Sequence, residues 1–208
     1  MCETVLQCKC EIFCKVLIRL KDTICQALKL YANTWLAGIM GAFLYLSLGV
    51  IFSMLKTTGF VMNLVALILQ SILFALIVYT KMWDLGDKNA NAANFGHMTA
   101  DPLRGLKLGL LAAIPSILTF LVLIADKLFG FWSGVATAYR ICHTALYPVI
   151  VWSMGSLVSL TTAEISWGGI FCAGLPLLFM PVVATLAYYS GYRHISLREK
   201  IVFVNKEK

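Results

Sequence analysis

The stretch Thr57–Thr80, TTGFVMNLVALILQSILFALIVYT, runs for 24 residues without a charge. A bilayer's hydrocarbon core is about 30 Å thick and takes about 20 residues of α-helix to cross. No water is present there to pair with free backbone amides, so such a segment satisfies its own hydrogen bonds as a helix. The apolar residues are continuous and do not alternate with polar ones, which excludes the strands of a membrane barrel.

Working outward, the same reading finds uncharged runs at Trp35–Leu55, Leu108–Ala125, Thr144–Ala163 and Ile165–Tyr192. The expectation is an all-α, polytopic transmembrane helical bundle with five spans, at about 35–55, 57–80, 103–125, 144–163 and 167–190. The segment 128–143 is ambiguous. It is apolar from Leu128 to Tyr139 but too short to cross, and is read as a re-entrant piece, an interfacial helix or the start of a kinked helix. It leaves six spans as the alternative. Composition agrees with a membrane protein. Of 208 residues, 60% are hydrophobic and only 13% charged, whereas a soluble domain carries roughly 25% charged residues.

The 17 basic residues cluster, with five before Asn33, four from Lys81 to Lys107 and five after Gly191. They flank apolar runs, so the partner they imply is the lipid bilayer and its anionic headgroups, not nucleic acid. With five spans the loops carry nine basic residues on one side and eight on the other, and the positive-inside rule is silent. A sixth crossing through residues 128–146 would bring the two termini and the Lys81 loop together, fourteen against three or fewer. The N-terminus and that loop are expected in the cytoplasm and the chain in the cell membrane.

Residues 1–33 read as a leader. Glu11, Lys15, Arg19, Asp22, Gln26 and Lys29 fall on one helical face, and Phe13, Leu17, Leu20, Ile24, Leu28 and Tyr31 on the other. That pattern predicts an amphipathic interfacial helix of about 20 residues, with docking on a partner's helix as the alternative. Five of the seven cysteines, Cys2, Cys8, Cys10, Cys14 and Cys25, lie here. Metal ligation, acylation and simple apolar packing all fit them; zinc would want paired short spacings and a fourth ligand, so no metal is assigned. Residues 193–208 form a basic tail in which Ser196 and Glu199 have capping-box spacing.

Chemistry is best sought between Lys81 and Lys107, KMWDLGDKNANAANFGHMTADPLRGLK, expected to be a polar loop. Asp84, Asp87, Asn91, Asp101 and Arg104 are the candidate ligand-binding residues. The spacing Asp87-x-Asn89-x-Asn91 opens like a calcium loop, but Ala92 replaces the turn glycine and Met98 the bidentate Glu. Asp, Asn and Gly are also ordinary turn residues, and Asp101-Pro102 suits the start of a helix. Pro115, Pro148, Pro176 and Pro181 lie within the apolar runs and are expected helix breaks. Nucleotide-binding, zinc-protease, hydrolase and dinucleotide motifs are absent, and no cofactor is called for.

The residues Gly86-Asp87-Lys88, Asn91, Phe95-Gly96, Asp101 and Arg104-Gly105-Leu106-Lys107 resemble a small family of bacterial multi-span membrane proteins. Tyr139-Arg140, Pro148, Gly191-Tyr192 and Glu199-Lys200 extend the resemblance, which covers about Trp83 to the C-terminus. It implies a bacterial membrane protein and brings no activity, site or substrate. The expected role is a non-catalytic accessory, scaffold or assembly subunit with a membrane-protein partner or a second copy. The alternatives are a small transporter or channel using proline-broken helices, and an enzyme acting on lipid headgroups at Asp84–Asp101.

Overall fold

A computed structural model describes the backbone of residues 2–56, 58–97, 99, 101–155 and 161–195, and within those limits the side chains from Leu20 onward. The described residues are helical, with no strand among them. The helices are α1 (Cys2–Met54), α2 (Gly59–Asn94), α3 (Arg104–Phe129), α4 (Val135–Cys142), α5 (Tyr147–Met154), α6 (Trp167–Ala173) and α7 (Pro176–Tyr192). Four segments are long and apolar enough to cross a membrane: Leu20–Met54, Gly59–Asn94, Arg104–Phe129 and Trp167–Tyr192.

Side-chain contacts give the directions. In α1 and α2, Tyr45 donates to Asn63 at 2.8 Å and Gln70 donates to the Gly41 carbonyl at 2.8 Å, so the two helices are antiparallel. In α2 and α7, Phe74 meets Phe179 and Gly86 meets Tyr188 and Tyr192, so these two are parallel. Gly105 and Gly109 of α3 pack on Tyr188 and Pro181 in turn, so α3 runs against α7. One end of the bundle therefore gathers the end of α2, the start of α3 and the end of α7; it is called the Asn94 end. The turn at Lys56 marks the other.

Between α3 and α6 the chain makes a re-entrant hairpin. It leaves α3 at the Lys56 end, where the Trp132 amide donates to the Asp126 carboxylate at 2.9 Å. Helix α4 climbs beside α3, with Tyr139 6.1 Å from Phe120 between ring centroids. A single 3-10 turn, Thr144–Leu146, reverses the chain deep in the bundle, wedged against Gly38 and Gly41 of α1. Helix α5 then descends past Tyr45 to Trp152, which stacks on Phe60 beside the Lys56 turn. Lys127 donates to the Ala163 carbonyl at 2.6 Å, and α6 climbs back from there toward α7. The start of α1 and the end of α7 lie at the same end of the bundle.

Four expectations change. The run 144–163 is not one helix: α5 ends at Met154, and Gly155 has φ 79°, a left-handed conformation that suits glycine and stops a helix. The ambiguous 128–143 segment supplies the first arm of the hairpin. The leader does not form a helix of its own; its helix runs unbroken into the apolar stretch as α1. Within it Leu20, Ile24 and Leu28 of the apolar face are exposed, and the burial against the bundle falls on Ala27 and Leu30. The side chains of Glu11, Phe13, Lys15, Leu17, Arg19 and the first four cysteines, and the Ser196–Glu199 spacing, lie outside the described residues.

The fourth change concerns the polar loop. From Lys81 to Asn94 it is helix, continuing α2. Ala66, Gln70, Phe74, Val78, Met82, Gly86 and Ala90 are all buried, one every four residues; Gln70 meets Gly41 of α1, and from Phe74 to Gly86 the stripe meets α7. The stripe is small enough for close contact. A Cβ added at Gly86 would stand 2.2 Å from the Tyr188 carbonyl oxygen, and one at Gly191 would stand 2.1 Å from that of Trp83. Backbone meets backbone here, which only glycine allows.

Candidate functional site

Two regions collect polar side chains. The first is the Asn94 end, which holds the expected ligand residues. Asp84, Asp87 and Asn91 project from successive turns of α2; Asp84 and Asn91 are exposed and Asp87 is half-buried. Asp87 pairs with His194 at 2.7 Å and accepts from Asn91 at 3.4 Å. Asp101 and Arg104 stand at the start of α3. Asp101 accepts from the Leu103 amide at 3.2 Å and pairs with Lys107 at 2.7 Å, but the N-cap of α3 is Leu103, so Asp101 and Pro102 form the turn before the helix and not its cap and first residue. Arg104 donates to Gln26 of α1 at 3.2 Å.

A buried tyrosine ties these elements together. The Tyr188 hydroxyl of α7 accepts from Asn89 at 3.0 Å and donates to the Asp101 carbonyl at 3.2 Å. Trp83 donates to the Ile195 carbonyl at 2.8 Å. The polar groups of this end thus brace the ends of α2 and α7 and the start of α3 against one another and against α1 at Gln26. Asp84 is outside that network. Among the described residues no group of three or more His, Cys, Asp or Glu side chains comes close enough to hold a metal ion.

The second region surrounds the hairpin, to which the sequence pointed through its prolines and through the short apolar run Leu128–Tyr139. Pro148 and Pro176 stand in the first turns of α5 and α7, where a missing N–H costs nothing. Pro115 and Pro181 do not break their helices; α3 and α7 continue through them. Arg140 of α4 is 1% exposed and donates to the Met154 carbonyl at 2.8 Å, closing the C-terminal end of α5. Its Nε and Nη1 have no partner among the described residues. No carboxylate there lies within ion-pair distance of it, and the segment 156–160, SLVSL, contains none. Tyr139 donates to the Ala173 carbonyl at 2.8 Å and so fastens α4 to the end of α6.

Above the tip, toward the Asn94 end, lies a cavity of about 50 Å³. His143, Thr144 and Cys142 of the hairpin border it, with Thr34 of α1 and Ser116 of α3. Tyr31, Trp35 and Phe74 supply aromatic walls. His143 is buried, its ring stacked on Tyr139 at 4.1 Å, with Nδ1 3.0 Å from the Tyr139 carbonyl. Its other nitrogen, Nε2, is buried without a partner among the described residues.

The signal that could have found Arg140 and His143 is their position, two ionisable residues one turn apart between apolar runs. Comparison with known proteins finds no match, whether to a family model, a curated protein or a solved structure.

Proposed function

We propose that this chain is a non-catalytic membrane subunit, an accessory, scaffold or assembly factor, that crosses the bilayer four times around a re-entrant hairpin. Between Lys56 and Lys81, α2 offers 22 helical residues, about 33 Å, which matches a hydrocarbon core of about 30 Å. Among the described residues Lys29, Lys81, Arg104 and Lys107 ring the Asn94 end, and Lys56 and Lys127 stand at the other. With the basic leader and tail added, that end is the cytoplasmic one by the positive-inside rule and rests on anionic headgroups. Four crossings with the hairpin give the even count that the loop charges favour, and five give no contrast.

The observation that carries the scaffold reading is the use of the polar residues at the Asn94 end. They pair with one another across α1, α2, α3 and α7. Purification from membranes in mild detergent, with mass spectrometry of what remains bound, tests it. A stable partner protein, retained by Asp87→Ala and Asp101→Ala, is expected. Recovery of the chain with a bound small solute and no protein partner would sink the reading.

The hairpin with its buried Arg140 and His143 favours one second reading, a small transporter or channel. Ionisable groups inside a membrane bundle are costly and are commonly kept for transport. Liposomes holding only this protein would then pass a solute, and His143→Phe would abolish the flux.

A further inference from the structure

We infer that the first part of α1 stands out of the membrane and pairs with the same segment of a second copy as a parallel coiled coil. The length of α1 comes first. From Leu20 to Met54 alone it has 35 residues, about 52 Å of helix, against about 30 Å of hydrocarbon. The excess lies at its N-terminal side. Gly41 of α1 stands beside Gln70 of α2 and Tyr45 beside Asn63, so Lys29 comes level with Lys81, where the uncharged part of α2 ends. Leu20 is about 14 Å of helix beyond Lys29. The helix is unbroken from Cys2 to Met54, so it leaves the bilayer along the axis of its span and does not lie on the surface.

The part that emerges keeps an apolar face in water. Leu20 and Ile24 are 55% and 45% exposed, and with Lys21, Cys25 and Leu28 they line a shallow groove bordered by α1 alone among the described residues. The sequence says what covers it. Leu6, Cys10, Phe13, Leu17, Leu20 and Ile24 recur at alternating spacings of four and three. That average of 3.5 is the period of a left-handed coiled coil, with Cys10, Leu17 and Ile24 at a and Leu6, Phe13 and Leu20 at d. None of the six charged residues from Leu6 to Leu28 falls on this seam. Ile at a and Leu at d favour two strands. The next seam position is Ala27, which is buried in the chain's own bundle, so the seam ends where the bundle begins.

The bilayer sets the orientation. Two copies inserted the same way have parallel leaders at one height, so Cys10 meets Cys10 and Leu17 meets Leu17. Each g position then faces the e position five residues on, Lys9 with Cys14, Val16 with Lys21 and Thr23 with Leu28, and no two like charges oppose each other. A seam of fewer than three heptads is short for a free coiled coil. Anchoring both strands in one membrane offsets that by raising their effective concentration. The inference needs only that α1 crosses the bilayer, so it stands or falls apart from the scaffold reading.

Oxidative cross-linking of the purified full chain in liposomes tests it. With the other six cysteines changed to serine, Cys10 should link two copies into a disulfide dimer on a non-reducing gel. In a cysteine-free chain Lys15→Cys, at the outward f position, should stay monomeric. Leu17→Glu in the Cys10 chain should lose the dimer and leave thermal unfolding of the bundle unchanged, since the buried residues of α1 begin at Ala27 among the described ones. Absence of the Cys10 dimer would overturn the inference. Equal cross-linking at both positions would do the same, because the copies would then meet only by collision. A Cys10 dimer that survives Leu17→Glu would overturn it too, because the seam would not be what joins the copies.

Discussion

At the scale of single residues, the tightest constraints fall on glycines that have no turn to make. Gly86 and Gly191 let α2 and α7 touch backbone to backbone. Gly191→Ala or Gly86→Ala forces the helices apart and should cost about 2–4 kcal/mol, more than ordinary overpacking, because carbonyl oxygens cannot swing aside. Gly59→Ala meets nothing within 4 Å and should be neutral or stabilising by about 0.4–1 kcal/mol. Thermal unfolding of the three variants in one detergent ranks them. The Asp87–His194 pair sits at the opposite extreme. Its side chains are 31% and 48% exposed, so Asp87→Ala should shift stability by no more than about 1 kcal/mol. A larger loss would mean that Asp87 does more than brace.

At the scale of elements, α4 and α5 are each eight residues long, too short to be stable alone. They persist because side chains fasten them to their neighbours. Tyr139→Phe removes the bond to the Ala173 carbonyl and leaves that oxygen unpaired in the interior, a loss of about 1–2 kcal/mol. Maleimide labelling of Cys142, half-buried at the end of α4, should then quicken, while that of Cys25 on α1 should not. Equal rates in the variant and the parent would show that the hairpin does not depend on this bond. Gly169 makes the companion contact. A Cβ there would stand 2.2 Å from the Ser153 carbonyl oxygen, so Gly169→Ala should separate α6 from α5.

At the scale of the whole molecule, the arrangement makes a claim about sidedness. The start of α1, the Lys88 stretch of α2 and the end of α7 share one end, and Lys56 lies at the other. In a cysteine-free background, Lys88→Cys and a cysteine appended to the C-terminus should react with an impermeant maleimide from the same side of the membrane. Lys56→Cys should react from the other. A five-span chain would place the C-terminal cysteine with Lys56.

Some of this was legible in the sequence. Runs such as Thr57–Thr80 determine that the chain is helical and apolar enough to span a membrane, because length and backbone hydrogen bonding leave no other form. The start of α3 was legible to within two residues: Asp101 and Pro102 make the turn that leads into it, and the cap falls on Leu103. The Lys81–Asn94 stretch misled, because its Asp, Asn and Gly are turn formers by local preference. The stripe Met82, Gly86, Ala90 overrides that preference only through packing on α7, a partner about a hundred residues away. The hairpin was legible only in part. The short run Leu128–Tyr139 allowed a re-entrant piece as one of three readings, but the 20-residue run 144–163 reads as a span, and nothing near Gly155 in the chain says that α5 folds back beside α4. The sequence alone determined the solvent this protein is built for. The tertiary structure decided how the chain threads it, because threading depends on contacts between residues far apart in the chain, and those exist only once the helices are packed.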